Sequence, residues 1–261
     1  VTFPQFFHDQ PLGFAGQPAP VFDLKAPSPP TTTTMNVSSE SNLLTALDEL
    51  IAQHHLLKHP FYQAWTMGTL PRETLRLYAE QYYQHVRAFP KNLAWVGMRA
   101  EGELAALVEE NLAEELSPVA PHPQLWRQFA HAVGATDEQL DTAAPLPGFA
   151  TLLDIFQEFS RNGTLPQVVA AFYAYESQVP EIAGEKIAGL QKFYGITEQP
   201  ALDYFTVHQE ADVRHRAAWR EWLEQQSGAA DQEILDAAER ALKALWGALD
   251  AVYPEGCACR N

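Results

Sequence analysis

The sequence predicts an all-α protein. Three observations carry that prediction. Apolar residues recur at three-four spacing through nearly every segment after Ser41, the period of one helix face. No stretch keeps the strict alternation of a half-buried strand. Prolines and glycines fall between the periodic segments, where helices begin and end. With 261 residues, 46% of them hydrophobic, the chain can build one sizeable core.

Residues 1–34 carry Pro-Ala-Pro, Pro-Ser-Pro-Pro and four consecutive threonines without an apolar period. That composition predicts a disordered leader or a misplaced start, Met35 being the first methionine. It has neither the basic start nor the apolar core of a secretory signal. Residues 35–261 are read as one helical domain ending in a short Cys-x-Cys tail, Cys257 and Cys259.

Within that domain Leu44, Leu47, Leu50 and Ile51 mark the first helix, and Pro60 interrupts before Phe61, Tyr62 and Trp65. Pro71 suits a first helical turn, and the helix it opens runs through Leu75, Tyr78, Tyr82 and Val86 until Pro90 kinks or breaks it. Glu103 to Glu115 forms the next helix. Pro118, Pro121 and Pro123 then impose an irregular connection that carries His122. A helix from Leu125 to Val133 stops at Gly134, and another covers Phe149 to Phe159. The segment from Leu165 to Tyr194 reads as one long helix kinked at Pro180 and stopped by Gly195. A helix bearing His208 follows, and the last helix has a packing stripe at Leu235, Ala238, Leu242, Leu245, Leu249 and Val252. The expected total is seven to nine helices, with no internal repeat.

A net charge of −16 argues against a nucleic-acid or anionic-membrane surface. No run of about 18 apolar residues is present to span a bilayer. Two cysteines one residue apart cannot form an ordinary staple, so a reducing cytoplasm is the expected compartment.

The candidate chemistry begins at His208-Gln-Glu-Ala-Asp212-Val-Arg-His215. Spacings of four and three residues place two imidazoles and a carboxylate on one helix face, with Glu210 and Arg214 off it. Two neutral nitrogens and a hard oxygen suit iron, manganese or zinc. Glu115 and His122 lie seven residues apart, with Glu114 an equal competitor for the ligand role. Glu176 interrupts an apolar and aromatic run, where a lone carboxylate is costly to bury without a partner. Together these are three carboxylates and three histidines, enough for two metal ions between bundle helices. By default His54, His55, His59, His85 and His131 are surface or helix-end residues, and Lys186 is an ordinary surface lysine.

The longest shared text is His-Pro-Phe-Tyr-Gln-Ala-Trp at 59–65, Ala-Phe-Pro-Lys at 88–91 and Asn-Leu-Ala-Glu-Glu at 111–115. It continues with Tyr-Glu-Ser-Gln-Val-Pro at 175–180, Glu-Lys-Ile-Ala-Gly-Leu at 185–190 and the 208–215 octapeptide. On these stretches, from about Leu44 to Val252, the chain resembles the group of the Chlamydia protein associating with death domains. That group belongs to the haem-oxygenase-like di-metal oxidases and oxygenases, related to the TenA and PqqC groups. The resemblance implies a haem-oxygenase-like seven-helix bundle with metals held by Glu115, His122, Glu176, His208, Asp212 and His215, which decides between Glu114 and Glu115. It implies two metal ions, Fe/Fe or Fe/Mn, with dioxygen and an external reductant as co-substrates. The implied activity is oxygen-dependent formation of 4-aminobenzoate for folate synthesis, the ring coming from Tyr62 and the nitrogen from Lys186 of the chain itself. Tyr175 is a further candidate, as a residue that orients the ligands.

The 34-residue leader has no counterpart in that group, and association with host death domains does not carry over. TenA-type thiamin hydrolysis needs a core cysteine, absent outside the tail; PqqC-type cofactor-free oxidation lacks the metal set kept here. Two rivals remain: a di-iron oxidase of a free amino or fatty acid, and a non-catalytic helical protein that binds metal or a partner. Expected partners are dioxygen and a reductant, with a possible homodimer.

Overall fold

In the computed structural model residues 40–226, 228 and 230–253 are described, with side chains from Leu43 onward. The expectations for the leader and for Cys257 and Cys259 lie outside the described residues. Among those described there are eleven α-helices, one 3-10 turn and no strand. The helices are α1 (Glu40–Gln53), α2 (Pro60–Thr66), α3 (Arg72–Gly97), α4 (Gly102–Glu115), α5 (His122–Ala132) and α6 (Asp137–Thr142). They continue as α7 (Pro147–Asn162), α8 (Leu165–Glu176), α9 (Val179–Tyr194), α10 (Gln199–Glu224) and α11 (Asp231–Val252). No described helix is long and apolar enough to cross a membrane.

Several boundaries follow the local chemistry. Thr136 and Thr164 close capping boxes with Gln139 and Gln167, starting α6 and α8. Gly195 ends α9 in the left-handed conformation at φ +67°, where a side chain would be strained. His59 caps α2: its Nδ1 accepts from Phe61 N–H at 3.0 Å while Nε2 lies 3.0 Å from Asp250 Oδ1 on α11. That imidazole is fully buried, so it is a helix-end residue without being a surface one.

The prolines behave differently from one another. Pro90 neither breaks nor ends α3, which runs through it to Gly97. Phe89, Pro90 and Leu93 are all buried, and their packing offsets the roughly 3 kcal/mol that an interior proline costs. Pro180, expected to kink one long helix, divides it into α8 and α9. It has no N–H for the Glu176 carbonyl, and Gln178 in the break spans helices instead. Gln178 Oε1 accepts from Leu56 N–H, and its Nε2 donates to the Ala174 carbonyl, each at 2.8 Å. The short α6 was not foreseen. His122 opens α5 instead of lying in the irregular connection, because Pro121 and Pro123 suit a helix start.

In the packing, α11 lies on α7 and α8, while α10 is flanked by α5, α8 and α9, and α3 by α4, α5 and α7. Small residues set the closest approaches. A Cβ on Gly148 of α7 would strike the Gly247 carbonyl of α11. A Cβ on Gly189 of α9 would lie within 2.6 Å of Trp65 Cδ1 and Nε1. Trp65 Nε1 in turn donates to the Lys186 carbonyl at 3.3 Å, so Gly189 fixes the turn of α9 that carries Lys186. Replacing Gly189 with alanine should therefore cost about 1–3 kcal/mol of overpacking. The expected reading is a thermal midpoint lower by several degrees; an unchanged midpoint would show that Trp65 can yield.

Candidate metal centre

Four helices bring the six expected side chains into the interior. Glu115 is the last residue of α4, His122 the first of α5 and Glu176 the last of α8. His208, Asp212 and His215 share the inner face of α10, and all six are at most 8% exposed. They form two triads rather than one cluster on the α10 triplet. Glu115, His122 and His208 offer ligand atoms within 4.8 Å of one another, and so do Glu176, Asp212 and His215.

In the first triad His122 Nδ1 lies 3.0 Å from Glu115 Oε1, outside hydrogen-bond alignment, and His208 Nε2 lies 4.0 Å from that oxygen. His208 Nδ1 is 2.6 Å from the Tyr204 carbonyl. A carbonyl only accepts, so Nδ1 carries the proton and Nε2 keeps its lone pair toward Glu115. In the second triad His215 Nδ1 is 3.2 Å from Asp212 Oδ1 and 3.7 Å from Glu176 Oε2. Asn111 Nδ2 donates to Glu176 Oε1 at 3.0 Å, and Trp219 Nε1 to Oε2 at 2.6 Å. Glu114, the competitor of Glu115, faces the outer edge instead. Its Oε2 is 3.3 Å from His215 Nε2, and its Oε1 accepts from Arg214 at 2.7 Å.

Burial dominates the electrostatics. It raises Glu176 to about 8, helped by the Asp212 charge. It pushes Asp212 well above the usual carboxylate range, with Glu115 acting in the same direction. It drives His208 well below an ordinary histidine, and the His122 charge adds to the shift. For His122 burial lowers the pKa, but the adjoining Glu115 carboxylate and the other acids around it win, and the net shift is upward. Asp212 Oδ2 and His215 Nε2 have no aligned hydrogen-bond partner. Three carboxylates buried with so few donors call for positive charge beside them. Two divalent ions would offset them, and the mixed N/O donors of each triad fit such ions.

A second compartment adjoins the triads. Tyr62, Tyr82, Tyr175, Lys186, Tyr204 and His208 line an enclosed cavity of about 20 Å³. Lys186 is 5% exposed, against its default placement at the surface. Its Nζ donates to Tyr78 OH at 2.8 Å and lies between 5.1 and 5.6 Å from the ring centroids of Tyr62, Tyr78, Tyr82, Trp126 and Phe205. Burial among these rings lowers its pKa to about 7. Tyr62 and Tyr78 hydroxyls are 3.3 Å apart, and Tyr82 OH donates to Tyr175 OH at 2.9 Å. Tyr175 thus belongs to the tyrosine cluster, one residue before Glu176. His85 is also wholly buried, against expectation, and is lowered to about 3 by that burial.

The residue types alone did not single out Tyr78, Asn111 or Trp219. A signal existed for the last two: Asn111 is one turn before Glu115, and Trp219 one turn after His215, so both share a ligand's helix face. Tyr78 had none beyond its place in the α3 stripe.

The chain is 36% identical to a 4-aminobenzoate synthase of Chlamydia muridarum over 219 residues, covering 84% of this chain and 93% of that protein. It is 40% identical to one from Nitrosomonas europaea over 226 residues, covering 81% and 91%. A TenA homolog of Pseudomonas syringae superposes with a TM-score of 0.71 at 16% identity, over 81% of this chain and 91% of that one. A CADD-like protein of unknown function from Nostoc punctiforme superposes at 0.66, also with 16% identity, over 82% and 96%. The sequence pattern of the iron-containing redox enzymes matches residues 76–246. With its all-helical, haem-oxygenase-like fold, the chain belongs to that family of iron-containing redox enzymes.

Proposed function

We propose that the protein makes 4-aminobenzoate by oxidising its own Tyr62, with Lys186 as the nitrogen donor and the six triad residues as ligands of two metal ions. The observation that carries this reading is the enclosure of Lys186 with Tyr62 in a cavity that also reaches His208. About 20 Å³ holds roughly one water, so a free amino or fatty acid does not fit between Tyr62, Lys186 and His208, which favours a substrate supplied by the chain. The two relatives named 4-aminobenzoate synthase support the product.

Tyrosine already holds most of that product. Its ring and Cβ become the ring and carboxyl carbon once the Cα–Cβ bond is cleaved, and nitrogen takes the place of the phenol oxygen. Two bound ions, Fe/Fe or Fe/Mn, would supply the one-electron chemistry with dioxygen and an external reductant that side chains lack. The residues around them set the rest. The aromatic wall excludes water from the reacting ring. Tyr62, Tyr78 and Tyr82 are protonated at neutral pH as any phenol is, and burial raises each further above its ordinary value. Any oxidation of Tyr62 must therefore move a proton as well, and the Tyr78 hydroxyl at 3.3 Å is there to take or relay it. Lys186, at about 7, is substantially the free amine near neutrality, the form that can add to the oxygen-bearing carbon of the oxidised ring. That oxygen leaves as water, a proton shifts from Cε to give a Cε=Nζ bond, and its hydrolysis leaves the nitrogen on the ring and an aldehyde at Cε.

Three outcomes are expected. His208→Ala should remove at least one of about two bound iron or manganese ions per chain while helix content is retained. Full loading after that change would remove His208 from the ligand set. In protein carrying carbon-13 tyrosine, supplied with metal, reductant and oxygen, labelled 4-aminobenzoate should appear from wild type and be lost in Tyr62→Phe. Unlabelled product, or wild-type yield from the variant, would defeat the self-processing route. The third concerns pH. Lys186 is near 7 when folded against 10.5 unfolded, so the unfolded chain binds more protons between those values. The lysine's contribution to stability should therefore rise from about pH 7 to about 10.5 and be flat below. Chemical-denaturation midpoints of Lys186→Met, compared with wild type across that range, should lack this rise; parallel curves would place the amine in water.

A further inference from the structure

A groove of about 580 Å³ lies between α3 and α7, lined chiefly by Gln84, Arg87, Lys91, Asn92, Trp95 and Gln157. The chain has 33 acidic residues against 17 basic ones, yet no acid lines this groove. Arg87 and Lys91 are exposed, one helical turn apart, and neither forms an ion pair among the described residues. Like charges at that spacing destabilise a helix slightly, so the pair is not explained by α3 itself. A third cation stands at the same end, with the Arg161 guanidinium 5.1 Å from the Trp95 ring centroid.

Asn92 supplies the second observation. It is 2% exposed and lines the groove, yet its amide has no hydrogen-bond partner among the described residues. A donor and an acceptor at the groove without a protein partner, beside two cations outside any ion pair and an indole, match a ligand with three features. It has an anionic head for the Arg87 fork and the Lys91 ammonium, a flat apolar body for Trp95, and a polar edge for Asn92. We propose that this groove binds a small organic anion built on an aromatic ring, with a carboxylate or phosphate as its head group. The site is separate from both triads and does not rest on the reaction proposed above.

The test is calorimetric titration of the full metal-loaded chain with benzoate, phenyl phosphate, cyclohexanecarboxylate and inorganic phosphate. Saturable one-site binding is expected for benzoate, phenyl phosphate or both, and which of them binds names the head group. Loss of one charge-assisted hydrogen bond should weaken that binding about ten-fold or more in Arg87→Gln or Lys91→Gln. Both side chains are exposed, so circular dichroism and melting should not change. Asn92→Ala and Trp95→Phe should weaken the aromatic ligands more than inorganic phosphate. The proposal is overturned if neither aromatic anion binds, or if the charge variants bind as wild type does. Equal affinity for inorganic phosphate and phenyl phosphate, or for cyclohexanecarboxylate and benzoate, removes the aromatic part and overturns it too. A change of sedimentation mass in Arg87→Gln would instead make the groove a contact between copies and equally sink the idea.

Discussion

Three carboxylates share the interior of this bundle, and most of the architecture is arranged around holding them there. An isolated buried carboxylate is unfavourable by several kcal/mol even after relaxation. Glu176 is met by donors from α4 and α10, and Glu115 by imidazoles from α5 and α10. Asp212 has only His215 on one oxygen, and its other oxygen is orphaned. The helices that deliver these groups are thereby tied to one centre. Without counter-charge the centre is a weak point of the core; two cations held there, as proposed, would make it a cross-link among α4, α5, α8 and α10.

The aromatic compartment solves a different problem with the same helices. A lysine ammonium in an apolar core is costly, and burial alone pulls Lys186 toward neutrality. The rings around Nζ soften that cost through their faces, and Tyr78 accepts its hydrogen bond. The wall that keeps the amine dry also raises the neighbouring phenols further above their ordinary pKa. The Tyr62 hydroxyl, buried with the others, meets the Tyr78 hydroxyl at 3.3 Å in place of bulk water. The position of His208 in both compartments makes it the physical link between them.

Much of this was legible in the residues. The 208–215 spacing places three ligand types on one face because helical geometry is local, and α10 keeps them there. Gly195 and Gly134 act as stops for the same local reason, both at positive φ. What was not legible depends on partners far away in the chain. The clean division at residues 177–178 relies on Gln178 reaching Leu56, and the persistence of α3 through Pro90 relies on packing that outweighs a local penalty. The burial of Lys186 follows from the close approach that Gly189 allows Trp65, and glycine in a helix gives no such sign by itself. His85 reads as a surface residue because histidine usually is one, whereas here Phe89, Phe156 and Tyr175 surround it. The resemblance named the six interior groups together; spacing could not divide them into two sets of three.

That division has a mechanical side. His208 serves one triad while Asp212 and His215 serve the other, and all three are rungs of a single uninterrupted helix. From His208 to His215 the axial separation is about 10 Å, and it cannot be adjusted at one end without moving the other. A force that draws His208 toward Glu115 displaces Asp212 and His215 as one rigid body. Were the triads to hold the proposed ions, occupying the first would prepay part of the ordering that the second requires, a positive cooperativity transmitted by a rod. On the proposed reading, the two centres would fill and empty as a pair, and half-loaded chains would be scarce.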